Sequence, residues 1–455
     1  MSTRSKSRRL NIASMREAFS APEFLGLSAF LAVCIIVGGN SNASLMANAA
    51  ANVSAIALLA FAIDRGALRV LKDLPMWQKA LIAGAFVLPM LQLIPLPSAV
   101  WAELPGRESE TALRDYLGFG SNWYPLSLDP RATAGDFFYL IIPLAAFCAT
   151  SLLGMKELRG IQIVICVLVL VSITVAVLQV ASRGTAGVIY DHAPAGVALG
   201  FFPNRNHFAL LVAIGFALAF QRSLRLQPKQ MRLGIQLGLS AVAIAAVLAS
   251  ASRAGLLLCL GCIVVSFAYQ AWRNESLNLK ALAAAGIAGV AGIVALIYYN
   301  PVARDAADRF QTLSGDARFD IWTDSLSLAQ AHLPLGSGFG TYVPLFKKGE
   351  ELSDLSPYFV NHAHNEYLEV ALEGGIPALL LIAIFVVLIF AAILRRFFDA
   401  DGSRVFFALL SIVLLVLHSL VDYPLRTPAL AAVFGVLLAM AWRPQSDAES
   451  LQGGS

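Results

Sequence analysis

Residues 376–394, IPALLLIAIFVVLIFAAIL, contain no charged side chain. A hydrocarbon core about 30 Å thick is crossed by about 20 mostly apolar residues of α-helix, so this run predicts a membrane-spanning helix. The whole chain of 455 residues is 58% hydrophobic and only 14% charged, whereas soluble proteins average about 25% charged residues. We therefore expect an all-α polytopic membrane protein and exclude a soluble globular class.

Apolar segments of similar length recur along the chain and predict about twelve spans. They are 24–39, 43–63, 77–101, 136–154, 160–181, 207–221, 233–251, 254–270, 281–299, 369–394, 404–421 and 428–442. A cleaved signal peptide at the first span is not expected, because a second apolar run follows directly. With the amino terminus inside, 21 of the 33 Lys and Arg residues fall on the cytoplasmic side. The positive-inside rule then places both termini in the cytoplasm.

The loops divide the chain unevenly between the two sides of the membrane. The expected organisation is a cytoplasmic tail at 1–23, spans one to nine at 24–299, an external loop at 300–368, spans ten to twelve at 369–442 and a cytoplasmic tail at 443–455. The cytoplasmic loops are short and basic and leave no room for a catalytic domain. No Gly precedes a Lys, so a Walker A loop is absent and ATP hydrolysis is not expected.

The external loop carries a helical pattern of its own. Between residues 320 and 331, apolar and small side chains recur at the spacing of one helix face, which predicts about three turns of helix. These residues are Ile321, Trp322, Ser325, Leu328 and Ala329. A glycine-rich turn, PLGSGFG, follows at 334–340. We expect a small helical cap on the outer membrane surface, with the chemistry beneath it.

The densest polar cluster, NHAHNEYLE at 361–369, stands where this loop re-enters the bilayer. An imidazole is a natural proton acceptor at neutral pH, so the cluster suggests a general base. His364 is favoured over His362 because a helix is expected to begin near His364, with Leu368 one turn below. The alternative is an interfacial histidine without a chemical role.

Two arginines stand near the predicted outer face. Arg253, in SASRAG at 250–255, is caught between two apolar spans, and Arg318 lies in the predicted cap. An ionisable residue at membrane depth suggests a functional site, and forked guanidinium groups bind phosphate oxygens bidentately. As alternatives, Arg253 snorkels to the interface as a topology marker, and Arg318 pairs with Asp320 or caps its helix.

Weaker polar patterns have structural interpretations. Asn206 and His207, in PNRNH at 203–207, suggest helix capping or a contact with a lipid headgroup. His418, four residues before Asp422, suggests a buried polar pair with a structural role. The D-x-D pattern at 399–401 is better explained as a solvated cytoplasmic loop. All five cysteines fall in apolar segments, so no disulfide framework is expected.

Taken together, these motifs resemble the bacterial O-antigen ligase and O-antigen polymerase superfamily from about residue 200 to 430. They are His364-Asn365 with Gly375, SRAG at 252–255, Arg318 with Ile321-Trp322, the turn at 334–340 and PNRNHF at 203–208. The ligase pattern H-N-x9-G-x-x-G has Ala378 at its last position in this chain. This departure concerns the lipopolysaccharide ligases and not the superfamily.

The resemblance implies a GT-C-like glycosyltransferase in the bacterial inner membrane, with its active site at the periplasmic face. The implied donor is an undecaprenyl-diphosphate-linked glycan, the acceptor a glycan or lipid A core, and the reaction inverts the anomeric centre. The catalytic base falls on His364 and the diphosphate-binding residues on Arg253 and Arg318. The expected supporting residues are Asn365, Glu366, Asn206 and His207. Membrane lipids and other polysaccharide-assembly proteins are candidate partners; no metal, other cofactor or nucleic acid is expected.

Several activities share these motifs. A polymerase and a ligase are favoured over a protein O-oligosaccharyltransferase of the same superfamily. A non-enzymatic polysaccharide or lipid transporter is the alternative of a different class. Transporters usually carry broken helices in paired halves near the midplane, whereas the ionisable residues here gather at one face.

Overall fold

The computed structural model of the protein describes residues 19–39, 45–190, 196–273, 318–349, 360–399 and 402–442. Up to residue 273 the α-helices are α1 (Pro22–Val37), α2 (Leu45–Asp64), α3 (Ala67–Asp73), α4 (Met76–Gln92), α5 (Ser98–Ala102), α6 (Glu108–Tyr116), α7 (Pro130–Tyr139), α8 (Ile141–Leu152), α9 (Met155–Ala181), α10 (Arg205–Ser223), α11 (Lys229–Ala249) and α12 (Arg253–Trp272). From residue 318 they are α13 (Arg318–His332), α14 (Tyr342–Gly349), α15 (Glu366–Phe397), α16 (Ser403–His418) and α17 (Pro428–Trp442). Two short strands, β1 (Pro95–Leu96) and β2 (Tyr124–Pro125), pair antiparallel.

The predicted spans overlap helices wherever the structure describes them, although the third, 77–101, continues beyond α4 into β1 and α5. The ninth predicted span, 281–299, lies outside the described residues. Within the described ranges, six helical segments are long and apolar enough to cross a membrane, and a bent pair formed by α3 and α4 would make a seventh. The helices α1, α16 and α17 are apolar but shorter. The all-α membrane class is confirmed, while the count of twelve and the GT-C-like arrangement stay predictions.

Helix α10 lies at the centre of the bundle and contacts α9, α11, α12 and α16. Its side chains are buried around nearly the whole circumference, the pattern of a helix enclosed by others. A glycine lets α12 approach α10 closely. If residue 255 carried a Cβ atom, that atom would lie 2.4 Å from Ala209 Cβ. This packing fixes the amino-terminal end of α10 against the amino-terminal end of α12.

Helix α15 is broken at Gly375, where φ is +60° and ψ is −157°. The glycine-rich turn at 334–340 fits against the break, since Ile376 N donates to Pro334 O at 2.9 Å and Gly338 N donates to Glu373 O at 2.9 Å. A Cβ at Gly375 would lie 2.2 Å from Pro334 O, so only glycine fits. The turn therefore holds residues 366–374 as a separate short helix ahead of the long apolar one.

The predicted helix of the external loop is present as α13, and the glycine-rich turn follows it. The structure adds α14, which the sequence analysis did not predict. Side chains from α13, α14 and the start of α15 form a second, smaller apolar cluster. Its buried members are Ala329, Tyr342, Leu345, Phe346, Ala363 and Leu372. Residues 300–317 and 350–359 of the predicted cap lie outside the described residues.

Candidate functional site

A buried carboxylate, Asp422, lies at the centre of a polar cluster between α16 and α17. It has no exposed surface. Asn206 Nδ2 donates to its Oδ2 at 2.6 Å, and Asn204 Nδ2 donates to both of its oxygens at 3.1 and 3.2 Å. Two histidines complete the cluster, with His364 Nδ1 at 3.2 Å and His207 Nε2 at 3.7 Å from Oδ1.

The surroundings of Asp422 keep it charged. Burial alone would raise the pKa of this carboxyl, but the charges and hydrogen bonds of His207 and His364 hold the pKa well below its usual range. A permanently ionised carboxylate beside an imidazole favours a proton on the facing nitrogen. Asp422 therefore orients His364 with Nδ1–H toward the carboxylate.

His364 is held in an unusual backbone conformation just before α15. Its φ is +49°, in the left-handed region that non-glycine residues rarely adopt. Its side chain is 27% exposed, and its Nδ1 faces Asp422. With Nδ1–H directed to the carboxylate, Nε2 is left as the nitrogen that can accept a proton. The pair combines a partly accessible base with a buried group that orients it.

The start of α15 fixes the loop that carries His364. The helix begins at Glu366, two residues later than the sequence suggested, because Asn365 is its cap: its side chain accepts from Tyr367 N and Leu368 N, both at 3.1 Å. Glu366 N donates to Ser419 O at 2.9 Å, which ties the loop to the end of α16. Asn365 thus supports His364 through the backbone.

His362 has a different environment from His364. Its Nδ1 lies 2.8 Å from Glu369 Oε1, and its side chain is only 12% exposed. The ring of Tyr423 lies against it, with centroids 4.1 Å apart, and separates it from the His364 side of the cluster. Of the two histidines, His364 is the more exposed, at 27% against 12%.

Arg426 forms the second charged cluster, next to the first. Its guanidinium lies 2.7 Å from Glu373 Oε2, 3.1 Å from Glu369 Oε1 and 3.2 Å from Glu366 Oε1. Burial would lower the pKa of Arg426, but the surrounding carboxylates raise it well above its ordinary value. The expected supporting residue Glu366 therefore belongs to an ion-pair network that joins α15 to the segment after α16.

Asn206 connects Asp422 to the start of α12. Ser252 Oγ donates to Asn206 Oδ1 at 2.7 Å and accepts from Gly255 N at 3.1 Å, so Ser252 caps α12. Arg253 follows as the first residue of that helix and is partly exposed. The chain Ser252–Asn206–Asp422–His364 brings Arg253 into the same region as the histidine.

Arg318 stands at the described start of α13 and is partly exposed. It interacts electrostatically with His418, which is fully buried four residues before Asp422. His418 also interacts electrostatically with Asp422, as the predicted buried pair requires, but the side-chain hydrogen bonds to Asp422 come from Asn204, Asn206 and His364. The described residues contain no group of three or more His, Cys, Asp or Glu side chains arranged to hold a metal ion.

Comparison with known proteins gives two matches. Residues 238–383 match the family described as O-Antigen ligase. The exopolysaccharide production protein ExoQ of Rhizobium meliloti (strain 1021) is 26% identical over 246 residues, which cover 50% of this chain and 54% of ExoQ. Both matches support a similarity of this chain to the O-antigen ligase-related family.

The matched O-antigen ligase region spans α11 to the first half of α15 and so includes Arg253, Arg318 and His364. Asp422 and Arg426 lie beyond it, and sequence reasoning did not assign either to the site. Their position in the sequence could have indicated a role in the site, because both are charged residues in the short segment between two apolar spans. The match to ExoQ covers about half of that relative's length.

Proposed function

We propose that this chain is a membrane glycosyltransferase that moves a glycan from an undecaprenyl diphosphate carrier to a sugar hydroxyl at the periplasmic face of the inner membrane. The observation that carries the proposal is the pair formed by partly exposed His364 and buried Asp422. Nδ1 of the histidine lies 3.2 Å from Oδ1 of the aspartate. The matches to the O-antigen ligase family and to ExoQ support a role in membrane polysaccharide assembly.

The reaction begins with proton transfer to His364. Its Nε2 accepts the proton of the acceptor hydroxyl, and the acceptor oxygen attacks the anomeric carbon of the donor glycan. Asp422 keeps the imidazole oriented and stabilises the imidazolium that forms. A positioned base of this kind typically contributes about 10²–10⁴-fold to the rate.

The leaving group departs as the new glycosidic bond forms. The bond between the anomeric carbon and the diphosphate oxygen breaks, and its electron pair leaves with undecaprenyl diphosphate. Arg253 is the first residue of α12, where backbone N–H groups add partial positive charge, and Arg318 lies at the described start of α13. Their guanidinium forks balance the charge that develops on the diphosphate, so the proposed mechanism needs no metal ion. A single displacement from the face opposite the leaving group inverts the anomeric centre.

Within this proposal, we favour a polymerase over a ligase. The ligase pattern is interrupted at Ala378, and the relative ExoQ is named as an exopolysaccharide production protein. A polymerase transfers the growing glycan to another lipid-linked unit, whereas a ligase transfers it to lipid A core. The two reactions share one donor and one base and differ in the acceptor.

The glycan profile of a deletion strain tests the proposed function. A polymerase predicts surface glycan limited to short chains, restored by the wild-type gene and not by His364→Ala. Full-length polymer stranded on its lipid carrier would indicate a ligase. Loss of protein-linked glycan with normal surface polymer would indicate a protein O-oligosaccharyltransferase, and an unchanged profile would contradict the proposal.

A further inference from the structure

Helix α6 turns its polar face toward the protein. Glu110 Oε1 lies 2.6 Å from Lys348 Nζ of α14. The guanidinium of Arg114 stacks on aromatic rings, 3.7 Å from the ring centroid of Tyr124 and 4.6 Å from that of Trp101. At 100° per residue, Glu110 and Arg114 share one side of the helix. These two charged side chains of α6 are therefore attached to the protein.

Two large apolar side chains of α6 face away from the protein, beside the exposed Glu108 and Asp115. Leu113 is 57% and Tyr116 is 88% exposed. The segment that follows continues the surface, with Leu117 at 54%, Phe119 at 52% and Trp123 at 66% exposure. Surface helices of soluble proteins show the reverse orientation, with the apolar side on the core.

This apolar surface is continuous with that of helices in the membrane region. Strands β1 and β2 pair at Pro95 and Pro125, and Ser127 N donates to Gln92 O at 2.8 Å, so the segment is fastened to the end of α4. Exposed apolar side chains continue along α4 and α7. They are Met90, Leu91, Ile94 and Phe138, each about half exposed.

We propose that α6 and residues 117–123 lie in the headgroup region of the bilayer as an interfacial element. Tyr and Trp are enriched at the membrane–water interface, and an amphipathic helix lies there with its apolar side toward the acyl chains. The exposed leucines favour a lipid surface over a saccharide, because aliphatic side chains offer no flat ring on which a sugar stacks. The occupant of this surface is therefore the bilayer.

The interfacial element is connected to the helices near the candidate site. Lys348 joins it to α14, and a Cβ at Gly106 would lie 2.7 Å from the ring of His332 at the end of α13. Gln92 Nε2 donates to Glu373 O at 2.8 Å, which places the same end of α4 beside α15. Insertion of α6 into the interface would thus fix the height of α13 relative to the lipid.

Depth-dependent fluorescence quenching tests this proposal without reference to any activity. An environment-sensitive fluorophore is attached to Tyr116→Cys, Phe119→Cys or Leu117→Cys in full-length protein reconstituted in phosphatidylcholine vesicles. Leu380→Cys, on the exposed apolar side of α15, is the lipid-facing reference, and Asp115→Cys is the matched polar control on α6. Labelling of the wild-type chain measures the background from its native cysteines.

Brominated phosphatidylcholine should quench the three labels as strongly as the label at Leu380, with little quenching by aqueous iodide. The label at Asp115 should show the opposite preference. Quenching of all labels on this segment by iodide alone would overturn the proposal. So would protection from iodide that appears only with added oligosaccharide, or protection that rises with the protein-to-lipid ratio, which would indicate a second copy of the chain.

Discussion

Asp422 Oδ1 lies 3.2 Å from His364 Nδ1, although the two residues are separated by 58 positions in the chain. The contact crosses from the loop before α15 to the segment between α16 and α17. It gives a partly exposed imidazole a buried, ionised partner. This relationship, more than any single residue, distinguishes His364 from a histidine that merely lies at the interface.

The role of Asp422 can be separated from that of a purely structural residue. Asp422→Asn keeps the size of the side chain but removes the charge that orients His364, so we expect at least a hundredfold loss of glycan transfer, within the usual range for a general base of about 10²–10⁴. Transfer by reconstituted protein is the measurement. Asp399→Asn, which removes a carboxylate paired with Arg396 on the opposite side of the molecule, is the control. Equal losses in both variants would remove Asp422 from the mechanism.

Arg253 and Arg318 are predicted to bind the diphosphate of the donor. Loss of one preorganised donor to a developing anion costs about 2.7–4 kcal/mol, or roughly 10²–10³ in rate, so Arg253→Ala and Arg318→Ala should nearly abolish transfer at normal membrane abundance. Lysine at either position should restore only part of the activity, because a point charge does not reproduce the guanidinium fork.

The effect of a metal chelator on glycan transfer tests the metal-free part of the same mechanism. The proposed mechanism expects transfer by the wild type to survive EDTA. Strong inhibition that added magnesium reverses would contradict the metal-free part of the mechanism, and full activity of both alanine variants would contradict the assignment of the arginines.

Arg426 is predicted to stabilise the fold rather than to act in the reaction. Arg426→Gln leaves Glu369 and Glu373 buried without their cation, and breaking a buried ion pair of this kind costs about 3–5 kcal/mol. We expect a clear fall in the thermal unfolding temperature of the detergent-solubilised protein. Arg131→Gln, at an exposed position on α7, is the matched control. An unchanged unfolding temperature for Arg426→Gln would show that the network contributes little.

The predicted topology requires the Asp422 cluster to lie on the periplasmic side. Cysteine at Asp115 should react with an impermeant maleimide in cells whose outer membrane is permeabilised. Cysteine at Gln227, an exposed residue between α10 and α11, should react only after lysis. The reverse labelling pattern would place the candidate site in the cytoplasm.

The sequence predicts the helices well because long apolar runs in a chain of this composition have one stable outcome in a membrane. Each predicted span that the structure describes overlaps a helix, and the helix at 320–331 was visible in the spacing of its apolar face. Helix α14 was missed, although Tyr342, Leu345 and Phe346 carry the same i, i+3, i+4 signal.

The sequence indicates the candidate residues of the site but not the contacts that join them. A base at His364 and guanidinium groups at Arg253 and Arg318 follow from residue type and position. The contact of His364 with Asp422 does not follow from the sequence. Asp422 meets Asn204 and Asn206 through the packing of α10 against α12 and α16. The break at Gly375 likewise depends on a turn about forty residues earlier in the chain.

The most direct measurement compares the two histidines before α15. His364→Ala should lose most glycan transfer in reconstituted vesicles at unchanged membrane abundance, by about 10²–10⁴-fold. His362→Ala should keep a substantial fraction, because its side chain is only 12% exposed, against 27% for His364. Wild-type turnover by His364→Ala, or an exchange of phenotypes between the two variants, would contradict the assignment of His364 as the base.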